Sequence, residues 1–268
     1  MIHGFITEHI TGHKVKSCAQ AHYEASHNVS HDTMAYKAQR LYVKTDYIFD
    51  AFRAMAKRER PCIVITHNSD HIITEKVFAN RPKCVIRWYA ANVGISSPDL
   101  IPLPLGCENP ATPAGYSGDM GVIEHIRRKA PKKEYTLLFN MNLKTNIDER
   151  IGALEYFTGR KWVSYIKYGI DFGACMAAVA KSRFVVCPAG NGIDTHRVWE
   201  SLYLGSYPVV KRSPHFEGLN DLPIVIVDSW EDVTEEYLDS WEAMAKDRPW
   251  NTDKLKMSYW KRRVQSGA

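Results

Sequence analysis

The sequence has no C-x-x-C pair, no G-x-G-x-x-G, no G-x-x-x-x-G-K-[ST] and no Asp-x-Asp. The two missing glycine motifs count against a dinucleotide oxidoreductase and a phosphoryl transferase. Without paired carboxylates there is no obvious seat for Mg²⁺ or Mn²⁺ against a diphosphate. The six cysteines, none closely paired, read as small buried hydrophobes of a reducing compartment. No apolar run is long enough to span a bilayer and no signal peptide is visible, so a cytoplasmic protein without a membrane span is expected. The sequon at Asn28 carries no weight without an export signal. Excess positive charge is also small, at 35 Lys and Arg against 30 Asp and Glu, and the basic residues form no stripe. Nucleic acid is therefore not the expected partner. Internal repeats and low-complexity tracts are absent.

What is present is a chain of 268 residues with 45% hydrophobic and 24% charged content, enough for two α/β domains of ordinary composition. The pattern predicts strands over 62–66, 84–89, 135–140, 184–187, 208–210 and 224–227. A proline-broken extended stretch lies at 100–106. Helices are expected over 45–60, 121–129, 147–157, 171–181, 194–204, 231–244 and 253–263. The stretch 109–121, rich in Pro, Gly and small polar residues, is the linker candidate, dividing the chain into 1–118 and 119–268, with the last helix free to pack back on the first domain. Alternating elements predict parallel, doubly wound sheets.

The segment 182–210 is the most informative. It reads as a buried strand, a turn at Pro188-Ala189-Gly190-Asn191-Gly192, a helix capped by Asp194 or Thr195, a stop at Gly205 and a further strand. Its two turn glycines can take positive φ. Free amides and the helix dipole at such a turn favour a bound phosphate. Arg197 sits in the first helical turn, where a cation opposes the dipole unless an anion is near. Glu200 follows one turn later on the same face and can accept from two ribose hydroxyls. His196 could donate to a phosphate oxygen. A solvated Arg–Glu pair on an ordinary strand–turn–helix is the plain alternative.

In the first half, His67-Asn68-Ser69-Asp70-His71 follows a predicted strand at its carboxyl end, where open α/β sheets place their sites. Asp70, or His67 in second place, could take a proton from an attacking hydroxyl. Six of the eleven histidines precede residue 32, with i, i+4 spacing at His9/His13 and His27/His31. No third ligand sits at a convincing spacing, and no metal site is assigned. Trp88 and Tyr89 could stack on a sugar or simply fill a core. Lys211 and Arg212 follow another strand.

The block F-V-V-C-P-A-G-N-G-I-D-T-H-R-V-W-E-S-L-Y-L-G-S-Y-P-V-V resembles the donor-site region of exostosin-like glycosyltransferases, in their short soluble forms from bacteria and large DNA viruses of algae. I-T-H-N-S-D at 65–70, L-I-P-L-P-L-G-C-E-N at 100–109 and L-L-F-N-M-N at 137–142 are similar to further blocks of that group. The resemblance implies a GT-B architecture: two Rossmann-like domains facing across a cleft, the second holding a nucleotide sugar and the first an acceptor. It implies a turn Gly190, Asn191, Gly192, Asp194 and Thr195 around the diphosphate, Arg197 against the leaving charge and Glu200 on the ribose. It further implies an inverting, metal-independent transfer to a glycan or glycoprotein hydroxyl. The nucleotide sugar is a co-substrate rather than a cofactor, UDP-xylose first and GDP-fucose as the rival. A non-catalytic carbohydrate- or nucleotide-binding protein is the reading from another class.

Overall fold

The computed structural model describes residues 8–25, 29–109 and 120–267, with 29–32 described by their backbone. His3, His27, the sequon residue Asn28, the His31 side chain and the boundary at 118/119 lie outside the described residues. The strands are β1 (Ala21–Tyr23), β2 (Arg40–Lys44), β3 (Cys62–His67), β4 (Val85–Ala90), β5 (Leu100–Pro102), β6 (Tyr135–Phe139), β7 (Val163–Tyr165), β8 (Ser182–Val186), β9 (Tyr207–Lys211) and β10 (Val225–Val227). The helices of the first half are α1 (Gly12–Lys16), α2 (Val29–Lys37), α3 (Ile48–Ala54) and α4 (Glu75–Ala79). Those of the second are α5 (Met120–Lys129), α6 (Ile147–Phe157), α7 (Phe172–Ala180), α8 (His196–Tyr203), α9 (Pro214–Glu217), α10 (Glu235–Asp247) and α11 (Met257–Ser266).

The strands form two five-stranded sheets, and every pairing within them is parallel. The second sheet runs β7-β6-β8-β9-β10, so the strand order reverses between β6 and β8. That reversal is the mark of double winding, and helices cover both faces. Phe157 of α6 and Leu238 of α10 pack on Leu137, Phe184 and Val209. Val179 of α7 and Trp199 of α8 pack on the opposite face with Leu138, Val185 and Val210.

The first sheet differs from the doubly wound expectation. Its described strands run β1-β2-β3-β4-β5 in chain order, without a reversal. Right-handed crossovers that always step the same way leave their helices on one face. Accordingly α2, α3 and α4 bury Ala35, Phe52 and Phe78 against Leu41, Val43, Val64 and Trp88. The period-2 alternation of a strand turns Tyr42, Ile65 and Tyr89 to the other face. That face would be bare without α1 and α11, whose Val15, Trp260 and Val264 close it. The last helix thus lies on the first sheet, and the Tyr89 hydroxyl donates to the carbonyl of Arg263 at 3.2 Å. One apolar cluster therefore runs from Ile10 and Tyr42 through Leu138 and Trp199 to Trp260.

The helix expected over 45–60 is shorter. A 3-10 turn at Thr45–Tyr47 leads into α3, which ends at Ala54. Arg58 folds inward instead of extending the helix, and its guanidinium donates to the carbonyls of Ala35, Tyr36 and Pro61. Pro61 also disfavours helical backbone just before it.

Candidate functional site

The parallel strands of the first sheet deliver their loops to one edge. β3 ends at His67, and Asn68 then turns the chain with φ 56°. β4 ends at Ala90, and Asn92 makes a similar turn, also at φ 56°. From the second half, the stretch between Val186 and α8 faces these loops. The Asn191 amide donates to Asp70 Oδ2 at 3.1 Å, joining residues that the sequence reading had placed in different domains. The Asn92 amide donates to Ser69 O at 3.0 Å, and its oxygen accepts the Asp194 N–H at 2.9 Å.

Gly192 and Gly190 do not have positive φ, contrary to expectation. Space is short instead, severely at Gly192 and slightly at Gly190. A Cβ on Gly192 would fall 2.6 Å from the Asn92 amide nitrogen, and one on Gly190 would fall 3.2 Å from Arg150 Nη2. Gly205 does end α8 with φ +71°, as expected. Thr195 stands at the N-cap position in extended backbone, yet its hydroxyl caps nothing, and its oxygen is buried without a partner.

Asp194 does not cap α8; its carboxylate turns inward to protein donors. Its side chain has no exposed surface, and it accepts from the Leu105 N–H at 2.8 Å, from Trp199 Nε1 at 2.8 and 3.0 Å, and from His215 Nε2 at 3.2 Å. Leu105 belongs to the first half, so this carboxylate ties the halves together.

The segment 104–106 anchors three of the singled-out residues in succession. Pro104 O lies 3.0 Å from His67 Nε2, Leu105 N reaches Asp194, and Gly106 O takes the Nδ1–H of His196 at 2.7 Å. His67 is 1% exposed, and its other nitrogen lies 3.2 Å from Asn68 Oδ1. Burial pushes its pKa below the usual imidazole range, against the Pro104 and Asn68 bonds. A neutral ring carries one N–H, so only one of these oxygens can accept from it; the buried ring is held against the loop. His196 does not suit a neutral phosphate donor, because its one N–H is already on Gly106.

A cavity of about 700 Å³ opens at this edge. Its wall carries His67, Asp70 and Glu108 from the first half, with Asn191 and His196 from the second. Lys44 and Asp46, 3.3 Å apart, stand at its side, and sequence reasoning missed them because they follow the unrecognised strand β2. Arg197 and Glu200 are not on this wall. They lie behind it on α8, with Arg197 Nε 3.2 Å from Glu200 Oε2 and Nη1 3.1 Å from Cys175 Sγ. Their side chains are 23% and 8% exposed, so the pair is not a solvated surface bridge. Burial opposes the Arg197 charge most strongly, but the Glu200 carboxylate together with Cys175 and Cys187 outweighs it and holds the pKa above the ordinary arginine value.

The strand-order reversal creates a second crevice between the loops after β6 and β8. Arg150 of α6 bridges it, donating to Asn142 O at 2.7 Å and Ala189 O at 3.1 Å. Asn146 donates to Gly190 O at 3.1 Å. No motif marks Arg150; only the adjacency of β6 and β8 brings it to the glycine turn.

Other candidates resolve simply. Trp88 and Tyr89 are fully buried in the first half's core. Lys211 pairs with Glu149 at 2.9 Å, and Arg212 with Asp228 and Glu217. His9 precedes α1, so the His9/His13 pair does not lie on one helix. Burial pushes the His9 imidazole down to about 4. Among the described residues, no group of three metal-binding side chains converges, and no helix is long and apolar enough to cross a membrane.

No family model matches the chain, and no curated protein matches it. Among solved structures it is similar to a UDP-forming α,α-trehalose-phosphate synthase from Burkholderia vietnamiensis, with 10% identity, a TM-score of 0.44, and 85% of this chain and 73% of that one covered. It is also similar to AviGT4, a glycosyltransferase involved in avilamycin A biosynthesis, at 11% identity and TM-score 0.37 over 88% and 78% of the two chains. A third is the pneumococcal O-GlcNAc transferase GtfA in complex with UDP and GlcNAc, at 10% identity and TM-score 0.32 over 85% and 53%. Identities and TM-scores of this size assign neither a family nor an activity.

Proposed function

We propose that this chain is an inverting glycosyltransferase of GT-B design, moving a sugar from a nucleotide-sugar donor to a hydroxyl of a glycan or glycoprotein. One observation carries the reading. A single cavity at the carboxyl edge of one parallel sheet is closed by the glycine turn and helix start of the other, with Asp70 and Asn191 in contact across it. Such an edge is where open α/β sheets bind ligands.

In this reading the acceptor enters the cavity from the first half. The donor diphosphate lies at the turn 190–195, with Arg197 opposing its charge and Glu200 next to the ribose. The acceptor oxygen forms a bond to the anomeric carbon as the bond to the diphosphate oxygen breaks, and the electron pair leaves with the nucleoside diphosphate. Its transition state carries oxocarbenium character. The hydroxyl proton passes to a basic group on the cavity wall, where Asp70 is exposed. No metal is required, and the expected site is the cytoplasm. A UDP-sugar is favoured, UDP-xylose first; GDP-fucose is the rival.

Nucleotide binding tests this at its root. UDP at about one hundred times its Kd is expected to stabilise the fold by about 2.7 kcal/mol, seen as a raised Tm. GDP doing so instead moves the reading to the fucose donor, and no response to UDP, GDP or CMP ends it. Asp70→Asn is expected to lower transfer while leaving nucleotide affinity within about twofold, since the amide oxygen of the variant can still accept the Asn191 bond. Nucleotide binding without transfer or donor hydrolysis by the unaltered chain would favour the non-catalytic reading.

A further inference from the structure

We infer that His196, rather than Asp70, is the catalytic residue that takes the acceptor proton; this rests on the transferase reading above. The geometry at Gly106 decides the tautomer. A carbonyl oxygen only accepts, so the 2.7 Å contact requires the proton on Nδ1 of His196. In the neutral ring, Nε2 then holds the lone pair. His196 lines the same cavity as Asp70, and Nε2 is the ring nitrogen left for a substrate.

The carbonyl that sets this tautomer is itself held. Gly106 has φ +73°, and a Cβ there would lie 2.3 Å from Ile10 O. The next residue, Cys107, donates its N–H to the same Ile10 oxygen at 2.8 Å. Backbone geometry thus orients the imidazole, as a carboxylate or carbonyl does for other general bases. Of the cavity's other imidazoles, His67 is 1% exposed and His71 faces Asp46 at 3.7 Å; His196 combines a place on the wall with a tautomer set by a backbone carbonyl.

Imidazole also suits the task. Its unprotonated nitrogen can take a proton from an attacking hydroxyl while the other nitrogen keeps its hydrogen bond. In the transfer, the hydroxyl oxygen bonds to the anomeric carbon, its proton moves to Nε2 of His196, and the phosphate oxygen departs with its bonding electrons. The resulting imidazolium keeps its Nδ1–H on Gly106. The titratable and charged groups that share the cavity wall with the ring are His67 from the end of β3, Asp70 and His71 from the following loop, Lys44 and Asp46 after β2, and Glu108 after β5. Asp194, through which the loop 104–106 is held, stands behind.

Two measurements test the role. Histidine-ring ¹⁵N NMR of the full chain, with the His196 signal assigned by its loss in His196→Gln, is expected to show the Nδ1–H tautomer. Turnover of UDP-xylose and UDP-glucose with a panel of methyl glycosides is then followed against pH. His196→Gln is expected to lower kcat by about 10²–10³-fold, to leave donor KM within about threefold, and to remove the fall in rate on the acid side. A ring protonated on Nε2 overturns the inference, as does wild-type turnover in His196→Gln. An acid-side fall that disappears in Asp70→Asn but persists in His196→Gln returns the role to Asp70. A chain that neither binds nor turns over a nucleotide sugar fells the transferase reading and this role together.

Discussion

Asp194→Ala is expected to destabilise the fold by about 3–5 kcal/mol, the range for breaking a buried charged hydrogen-bond network from one side. The substitution removes the acceptor for three donors: the Leu105 amide, the Trp199 indole and the His215 ring. None of them regains water, because the side chains of Asp194 and His215 are both fully buried. Each stranded donor costs about 1–3 kcal/mol, part of it recovered by relaxation. Urea unfolding followed by tryptophan fluorescence reads the loss. One cooperative transition is expected for wild type and variant, because Leu105 and Trp199 come from opposite halves and share one apolar cluster. If Asp194 served the diphosphate instead, the variant would keep its midpoint and lose nucleotide affinity, and that result would refute the structural assignment.

Arg197→Ala is expected to reduce turnover by about 10²–10³-fold and to weaken donor binding, the usual consequence of removing one donor from a developing anion. The single substitution also leaves Glu200 buried without its partner, so lower stability alone would prove nothing. Substituting Arg197→Gln together with Glu200→Gln removes both charges and leaves none isolated. Nucleotide affinity of that folded double variant, by calorimetry, is expected to fall at least tenfold. Undiminished affinity would confine the pair to holding α8 against Cys175 of α7, and the diphosphate would need another partner, with Arg150, which bonds to the carbonyl of Ala189, the next cation to test.

Much of the architecture was readable from residue order. The strands at 62–66, 84–89, 135–140, 184–187, 208–210 and 224–227 were all found to within two residues, and α6 was found at its full length. Their apolar runs exceed the noise of a short window. β1 and β7 were missed because their three residues include a polar one and make no continuous apolar run, unlike the equally short β10, and β2 because its five residues lie beside a stretch with no recognisable turn signal. The two-domain, parallel α/β organisation follows from the alternation of elements. The in-order winding of the first sheet does not, since periodicity says which residues are buried and not which strand lies beside which.

The polar residues of 190–200 divide the same way. Local rules placed them at a turn and a helix start, and the structure agrees. Local rules could not say that Asp194 turns inward to Leu105 and His215, that His196 is tied to Gly106, or that Asn191 reaches Asp70 from 121 positions away. In a strand or helix the backbone repeat dictates the direction of each side chain. In a loop that direction is settled by whatever hydrogen-bonding group the rest of the chain sets opposite it, and here that group comes from the other sheet's edge.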